Sequence, residues 1–158
     1  TLPGAPNLYY GSEVGMAGGD DPEMRAPMRW DLVDANHPEL AWTKQLIALH
    51  QGQRALKIGD LRPITSHRLI GFERHTERVA ESVLVIANPT DETLTELVMT
   101  GNSRLMNPFG FKDLLGTAPG PLRVVCGMVE LTLPPQGFVV LQPDVAPNGG
   151  YTSYKRVP

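Results

Sequence analysis

The residue pair in this chain that is best suited to chemistry is an acid and a base four positions apart, Asp21 and Arg25, in the segment D-D-P-E-M-R. Asp21 is predicted to cap a short helical turn with Pro22 at its first position, and one such turn brings Arg25 beside Asp21. A carboxylate accepts hydrogen bonds from two neighbouring hydroxyls, and a guanidinium donates from a planar fork. The pair is therefore interpreted either as a clamp for the vicinal hydroxyls of a sugar or as a salt bridge that only shapes the loop.

Metal and cofactor sites are not predicted. The four histidines show no i,i+4 pairing and have no cysteine companions, which argues against zinc. The loop glycines do not form G-x-G-x-x-G, so no dinucleotide or phosphate cradle is indicated. Asp20, Asp21 and Glu23 could offer oxygens to calcium, but their spacing matches no calcium-loop signature.

The elements that must position the pair form one β-loop-α unit over residues 1–53. An apolar strand is predicted at Pro6–Tyr10, and Gly11 lets the backbone leave the sheet. Apolar residues then recur near helical spacing from Asn36 to Gln51, with Pro38 in the first turn and Gly52 as a stop. A buried strand of this kind needs neighbours on both sides. In the isolated chain we therefore expect it to be disordered, exchanged with a second copy, or covered by another chain.

Residues 54–143 are predicted to form an all-β antiparallel sandwich, because short β-rich runs alternate with turn residues. The predicted strands lie near Arg62–Thr65, Leu69–Arg74, Ser82–Asn88, Leu94–Met99, Arg104–Met106, Phe111–Leu115, Met128–Leu133 and Phe138–Gln142. Residues 144–158 are polar and rich in glycine and proline, so they are predicted to be a loosely packed tail.

Composition excludes some partners. A net charge of −3 with intermixed signs leaves no basic stripe for nucleic acid. No apolar run approaches the roughly 20 residues that span a bilayer.

The single cysteine, Cys126, lies in an apolar run and is predicted to be a buried, inert thiol. Thr1-Leu2-Pro3 is expected to be an interior segment of a longer protein, and no cellular compartment is predicted.

One segment resembles a known family. The run Y-Y-G-x-E-x-G-M, followed by G-G-x-D-P-x-x-R-x-P-M-x-W-D, resembles the segment after the seventh conserved strand of the α-amylase superfamily, glycoside hydrolase family 13. The likeness is greatest to its cyclomaltodextrinase, neopullulanase and maltogenic amylase branch. Less specific similarities are A-L-x-x-G, F-x-R, D-L-L and L-P-P-x-G further along the chain. Ser12 departs from the pattern, since relatives often carry aspartate there.

The resemblance implies that residues 1–53 are the end of a (β/α)₈ barrel, with the eighth strand near Pro6–Tyr10 and the last helix near Glu39–Leu49. Barrel enzymes carry their sites on loops at the carboxyl ends of the strands. In relatives, the Asp and Arg of D-P-x-x-R bind a glucosyl unit on the non-reducing side of the cleaved bond, and they correspond to Asp21 and Arg25. The implied protein is a retaining hydrolase of α-1,4 linkages in cyclodextrins, maltodextrins or pullulan.

The same resemblance implies that the catalytic residues lie elsewhere. Retaining glycosidases need two carboxyl groups about 5–5.5 Å apart. In this superfamily these groups, and a third carboxylate, follow the fourth, fifth and seventh strands, which would precede Thr1. Glu13, Asp20, Glu23 and Asp31 match no catalytic motif. The chain alone is therefore predicted to be inactive, with an α-glucan oligosaccharide or cyclodextrin and the remainder of the barrel as its partners.

Two alternatives remain at this point. The chain could be a non-catalytic module that binds carbohydrate or stabilises a partner, or part of a transglycosylase or isomerase of the same superfamily. The aromatic residues of the sandwich are scattered and form no flat row, so stabilisation is the better version of the first alternative. Tyr9 and Tyr10 are predicted to pack in a core, Trp30 to anchor the loop rather than line the cleft, and Trp42 to lie between the barrel and the C-terminal domain.

Overall fold

The computed structural model describes residues 1–101, 110–118, 120 and 122–144, with the side chain of Arg123 left aside. The chain forms two compact units. We call Gly4–Gly52 the loop–helix unit. The β unit comprises Thr1–Pro3 and the chain from Gln53 onward.

The loop–helix unit contains one long helix, α1, at Pro38–Gly52, and three single turns of 3₁₀ helix at Ser12–Val14, Glu23–Arg25 and Trp30–Leu32. As predicted, α1 begins at a proline, which tolerates the first turn because its missing N–H would have no helical partner there. Val14 is buried, and the turn that carries it contacts α1. No helix among the described residues is long and apolar enough to cross a bilayer.

The strand predicted at Pro6–Tyr10 is not formed in this structure, and its place as the last strand of a barrel stays a prediction. Residues 6–10 have no regular secondary structure, and Leu8, Tyr9 and Tyr10 are 54%, 59% and 43% exposed. The physical reason is that no strand of the described residues pairs with this segment, so its backbone groups have no ladder to join.

From Gln53 onward, the described residues of the β unit form a short helix and then eight strands. The helix, α2, is Arg54–Ile58. The strands are β1 Asp60–Pro63, β2 Ile70–His75, β3 Val83–Ala87, β4 Leu94–Met99, β5 Gly110–Asp113, β6 Leu122–Val125, β7 Met128–Leu133 and β8 Phe138–Asp144. All pairings are antiparallel, in the order β1-β2-β3-β8-β5-β6-β7-β4.

The continuous sheet folds back over one hydrophobic core. Ile86 of β3 and Leu141 of β8 belong to the same buried cluster as Val98 of β4 and Leu131 of β7. Because β3 and β4 are far apart in the strand order, they can share a core only if the two halves of the sheet face each other. This confirms the predicted antiparallel all-β architecture for this part of the chain. The predicted strand Arg104–Met106 and the tail beyond Asp144 lie outside the described residues.

Cys126 is exposed, so the prediction of a buried thiol is wrong. Cys126 and Gly127 form the two-residue turn between β6 and β7, with φ angles of 51° and 75°. Val125 and Met128 pair across the turn. A residue at the tip of a two-residue hairpin points away from both faces of the sheet, which explains the exposure.

Candidate functional site

The loop that carries the predicted site is held at its start by a glycine. Gly11 has φ of 86°, and a Cβ at this position would lie 2.6 Å from the sulfur of Met16. The Met16 amide donates to the Gly11 carbonyl at 2.9 Å, and the Arg29 amide lies 3.4 Å from the Met16 sulfur. Gly11 is therefore required both for its backbone conformation and for the space that Met16 fills.

Tyr10 joins the start of the loop to the turn that bears Arg25. Its hydroxyl donates to the Ala26 carbonyl at 2.9 Å. A side-chain hydrogen bond with Tyr9 is the largest cause that raises the pKa of Tyr10, so the phenol stays a neutral donor at physiological pH. The two rings lie with their centroids 4.6 Å apart. Both tyrosines are exposed in this chain, and their predicted packing in the core of a complete barrel stays a prediction.

Asp21 and Arg25 form the predicted pair. Arg25 Nε donates to Asp21 Oδ1 at 3.0 Å, and Nη2 donates to the same oxygen. The predicted cap is wrong: the 3₁₀ turn is Glu23–Arg25, it is preceded by Pro22, and it has no side-chain cap. The Glu23 amide instead donates to the Asp20 carbonyl at 2.7 Å. This leaves the Asp21 carboxylate for Arg25.

The pair is accessible to a ligand. The side chains of Arg25 and Asp21 are 64% and 61% exposed. Asp21 Oδ2 and Arg25 Nη1 have no hydrogen-bond partner among the described residues. One acceptor oxygen and one donor nitrogen of this exposed pair thus remain available to a ligand. An exposed ion pair of this kind contributes about 0–1 kcal/mol to stability, so its removal leaves the fold intact.

A second acid–guanidinium pair, which sequence reasoning missed, follows in the same loop. Arg29 donates from Nε to Asp31 Oδ1 at 2.7 Å and from Nη2 to Oδ2 at 2.5 Å. Hydrogen bonding to Arg29 is the largest cause that lowers the pKa of Asp31. Both oxygens of Asp31 are already engaged, unlike those of Asp21. The sequence signal for this pair is an arginine two residues before an aspartate, and this spacing is common on protein surfaces.

Trp30, between these two residues, is 76% exposed. It does not anchor the loop within the described chain, and its predicted role as an anchor against the rest of the barrel stays a prediction. Trp42 lies on α1 and is 38% exposed, and its predicted place between two domains stays a prediction. Within the described ranges no group of three or more His, Cys, Asp and Glu is arranged to hold a metal ion.

Comparisons with known proteins identify relatives that match most of the chain, although no protein-family model matches it. The chain is 33% identical over 144 residues to a cyclomaltodextrinase of Geobacillus thermopakistaniensis (strain MAS1), covering 89% of this chain and 23% of that protein. It is 31% identical over 143 residues to neopullulanase 2 of Thermoactinomyces vulgaris, again with 89% and 23% covered. The chain thus spans about a quarter of the length of these curated relatives.

A solved structure gives the same result for the fold. The native form of the Nostoc punctiforme debranching enzyme is similar to this chain with a TM-score of 0.73 and 29% identity. The match covers 90% of this chain and 29% of the enzyme.

Proposed function

Because this chain belongs to the α-amylase superfamily, glycoside hydrolase family 13, we propose that it is the C-terminal portion of a retaining α-glucan hydrolase. The substrates are α-1,4 linkages of cyclodextrins, maltodextrins or pullulan. The names of the relatives, cyclomaltodextrinase and neopullulanase, support this substrate class.

In this proposal the loop–helix unit completes a (β/α)₈ barrel, and the β unit is the C-terminal domain. Residues 6–10 supply the last strand and α1 the last helix. The exposure of Leu8 in the isolated chain supports this assignment, since an apolar segment gains stability when neighbouring strands cover it. The same holds for Leu46 and Ile47 of α1, which are 39% and 41% exposed.

The observation that carries the proposal is the accessible Asp21–Arg25 pair, in a chain of which 89% is matched by a cyclomaltodextrinase. Asp21 Oδ2 accepts a hydrogen bond from one glucose hydroxyl, and Arg25 Nη1 donates to its neighbour. Both groups are charged, and hydrogen bonds to charged groups contribute about 1.5–3 kcal/mol. Asp21 and Arg25 bind substrate and take no part in breaking the bond.

The bond-breaking carboxyl groups belong to other parts of the barrel. A retaining mechanism needs a general acid with a raised pKa, yet the pKa of Asp31 is lowered by Arg29. The Asp31 carboxyl therefore does not suit proton donation to a leaving group.

The test is product analysis with the full-length protein that carries this segment, using cyclodextrin, maltotriose, pullulan and sucrose. We expect linear maltodextrins from cyclodextrin, released with the α-anomeric configuration, and no product from the 158-residue chain alone. Absence of any reaction would leave the non-catalytic module as the better account. Isomers of sucrose as the main products would show that the reaction is isomerisation rather than hydrolysis. Longer oligosaccharides as the main products would show that it is transglycosylation.

A further inference from the structure

The hydroxyl of Tyr10 fixes the backbone directly beside Arg25. It donates to the Ala26 carbonyl at 2.9 Å, across 16 residues of chain. Ala26 is the residue that follows Arg25. All three residues belong to the loop–helix unit, so the contact lies within one compact unit.

A second contact closes the same loop, but further from Arg25. The Met16 amide donates to the Gly11 carbonyl, and the Met16 sulfur lies 3.4 Å from the Arg29 amide. This contact fixes the chain four residues after Arg25, whereas Tyr10 fixes it one residue after Arg25. Of the two contacts, the one from Tyr10 therefore limits movement of the Arg25 backbone more.

The turn that carries Arg25 has only local restraints of its own. It is a single 3₁₀ turn, Glu23–Arg25, with no side-chain cap and no buried residue. The backbone hydrogen bonds printed between residues 20 and 26 each join groups three positions apart. A segment with so few buried contacts has low local stability. The bond from Tyr10 is thus the contact that connects this turn to a distant part of the sequence.

The charge of Arg25 also reaches the Tyr10 phenol. The hydrogen bond with Tyr9 is the largest cause of the raised pKa of Tyr10, and the positive charge of Arg25 acts in the opposite direction. A charge has this effect only on a group that lies near it. The guanidinium and the phenol are therefore neighbours, and the phenol remains protonated and able to donate at neutral pH.

A fixed Arg25 matters for binding because ordering a loop costs affinity. A loop that is already held in its bound conformation avoids that entropic cost when the sugar arrives. Tyrosine suits this task, since it combines a rigid ring with a polar tip that reaches a carbonyl. Phenylalanine has the same ring without the donor.

We propose that Tyr10 is a positioning residue for Arg25: its hydroxyl holds the turn that carries Arg25 in the conformation that binds sugar, and so sets the affinity of the loop for glucan. The inference rests on the proposed function, in which Arg25 donates to a glucose hydroxyl. Tyr10 acts through Arg25 and leaves bond cleavage to groups elsewhere in the barrel.

The test is steady-state kinetics of Tyr10→Phe in the full-length protein with maltotriose as substrate. KM should rise roughly threefold to tenfold, as expected for one lost neutral hydrogen bond, while kcat stays within about twofold. A residue that acts through Arg25 has little effect once Arg25 is replaced. Tyr10→Phe should therefore change KM by less than about twofold in an Arg25→Lys background and by its full amount in an Arg29→Lys background.

Tyr9→Phe is the matched control. It removes the hydroxyl of the neighbouring ring, which bonds to Tyr10 and, among the described residues, to no carbonyl of the loop. Its KM should stay within about twofold of wild type. The proposal is overturned if Tyr10→Phe leaves KM unchanged, if Tyr9→Phe raises KM equally, or if Tyr10→Phe has the same effect in the Arg25→Lys background as in wild type.

Hydrogen exchange in the full-length protein separates this proposal from the proposed function. The amides of Arg25 and Ala26 should exchange roughly threefold to tenfold faster in Tyr10→Phe, with the amides of α1 unchanged. Unchanged exchange at Arg25 and Ala26 would show that Tyr10 does not hold the turn. A full-length protein that is inactive on glucans would instead refute the proposed function, whatever the exchange rates.

Discussion

Glu96 shows how a single side chain joins distant parts of the β unit. It lies on β4, and its Oε2 accepts from Ser66 Oγ at 2.5 Å and from the His67 amide at 3.0 Å. Its Oε1 accepts from the Arg68 amide at 2.8 Å. Burial alone would raise the pKa of this carboxyl, but the hydrogen bonds from residues 66–69 outweigh it and lower the pKa.

This lowered pKa predicts a pH dependence of stability. A carboxyl whose pKa is lower in the folded state stabilises the fold above its unfolded pKa, and the contribution is lost as pH falls through the folded value. The ordinary value is 4.5. We expect Glu96→Gln to reduce the free energy of unfolding by about 1–3 kcal/mol at pH 7, with the difference from wild type shrinking below pH 4.5.

Urea denaturation at several pH values measures the effect. Glu92→Gln is the matched control, since Glu92 pairs with Arg68 at 3.0 Å but is 70% exposed. An exposed pair contributes about 0–1 kcal/mol, so the control should change little at any pH. A gap between Glu96→Gln and wild type that stays constant down to pH 3 would contradict the assignment.

At the residue scale, sequence reasoning succeeded where the interaction is local. The pairing of Asp21 with Arg25 follows from a spacing of four in a short turn, whichever fold surrounds it. The burial of Arg74 on β2 could not be predicted, because its side chain donates to the carbonyls of Thr1 and Gly59, which are 73 and 15 residues away and meet only in the folded β unit. The substrate-binding role of Asp21 and Arg25 stays a prediction.

At the element scale, strands with strong apolar patterns were predicted to the residue. Leu94–Met99 and Met128–Leu133 match β4 and β7. Leu122–Val125 was missed because its four residues merge with the following turn, and the apolar run was interpreted as one buried stretch. Residues 6–10 carry a strand-like pattern, but a strand forms only when a partner supplies the ladder, which no pattern within the segment reveals.

The β6–β7 hairpin gives a prediction at this scale. Both turn residues have positive φ, as in a type I′ turn, where asparagine and glycine are favoured. Cys126→Asn should therefore stabilise the chain by about 0.5–1 kcal/mol, and Gly127→Ala should destabilise it by about 1 kcal/mol. A Cβ at Gly127 meets nothing within 4 Å, so the cost is conformational rather than steric.

Thermal unfolding of both variants tests this, with Gly120→Ala as control because a Cβ there also meets nothing within 4 Å and Gly120 lacks a positive φ. Equal effects of Gly127→Ala and Gly120→Ala would show that the turn conformation is not the cause.

At the scale of the whole molecule, the two units differ in how much apolar surface they bury. The core cluster lies entirely in the β unit, whereas Val14 and Leu49 are the buried large apolar residues described in the loop–helix unit. Local stability follows such burial. We expect amides of α1 to exchange roughly 100-fold faster than those of β3 and β8 in the isolated chain, a difference of about 2.7 kcal/mol.

Hydrogen exchange on a dilute sample of the chain provides the measurement, and the full-length protein provides the comparison. Protection of α1 and of residues 6–10 should rise when the remaining barrel strands are present. Strong protection of Leu8–Tyr10 in a dilute monomer of this chain would contradict the proposal that these residues need neighbouring strands.

The most direct test of the central claim is steady-state kinetics of Asp21→Asn and Arg25→Lys in the full-length protein, with maltotriose and cyclodextrin as substrates. Each variant should lower kcat/KM by roughly tenfold to a hundredfold, as expected for losing a charged hydrogen bond to the sugar, with an unchanged melting temperature. Asp31→Asn and Arg29→Lys remove the neighbouring pair and should stay within about twofold of wild type. Equal losses from both pairs, or none from Asp21→Asn and Arg25→Lys, would contradict the account.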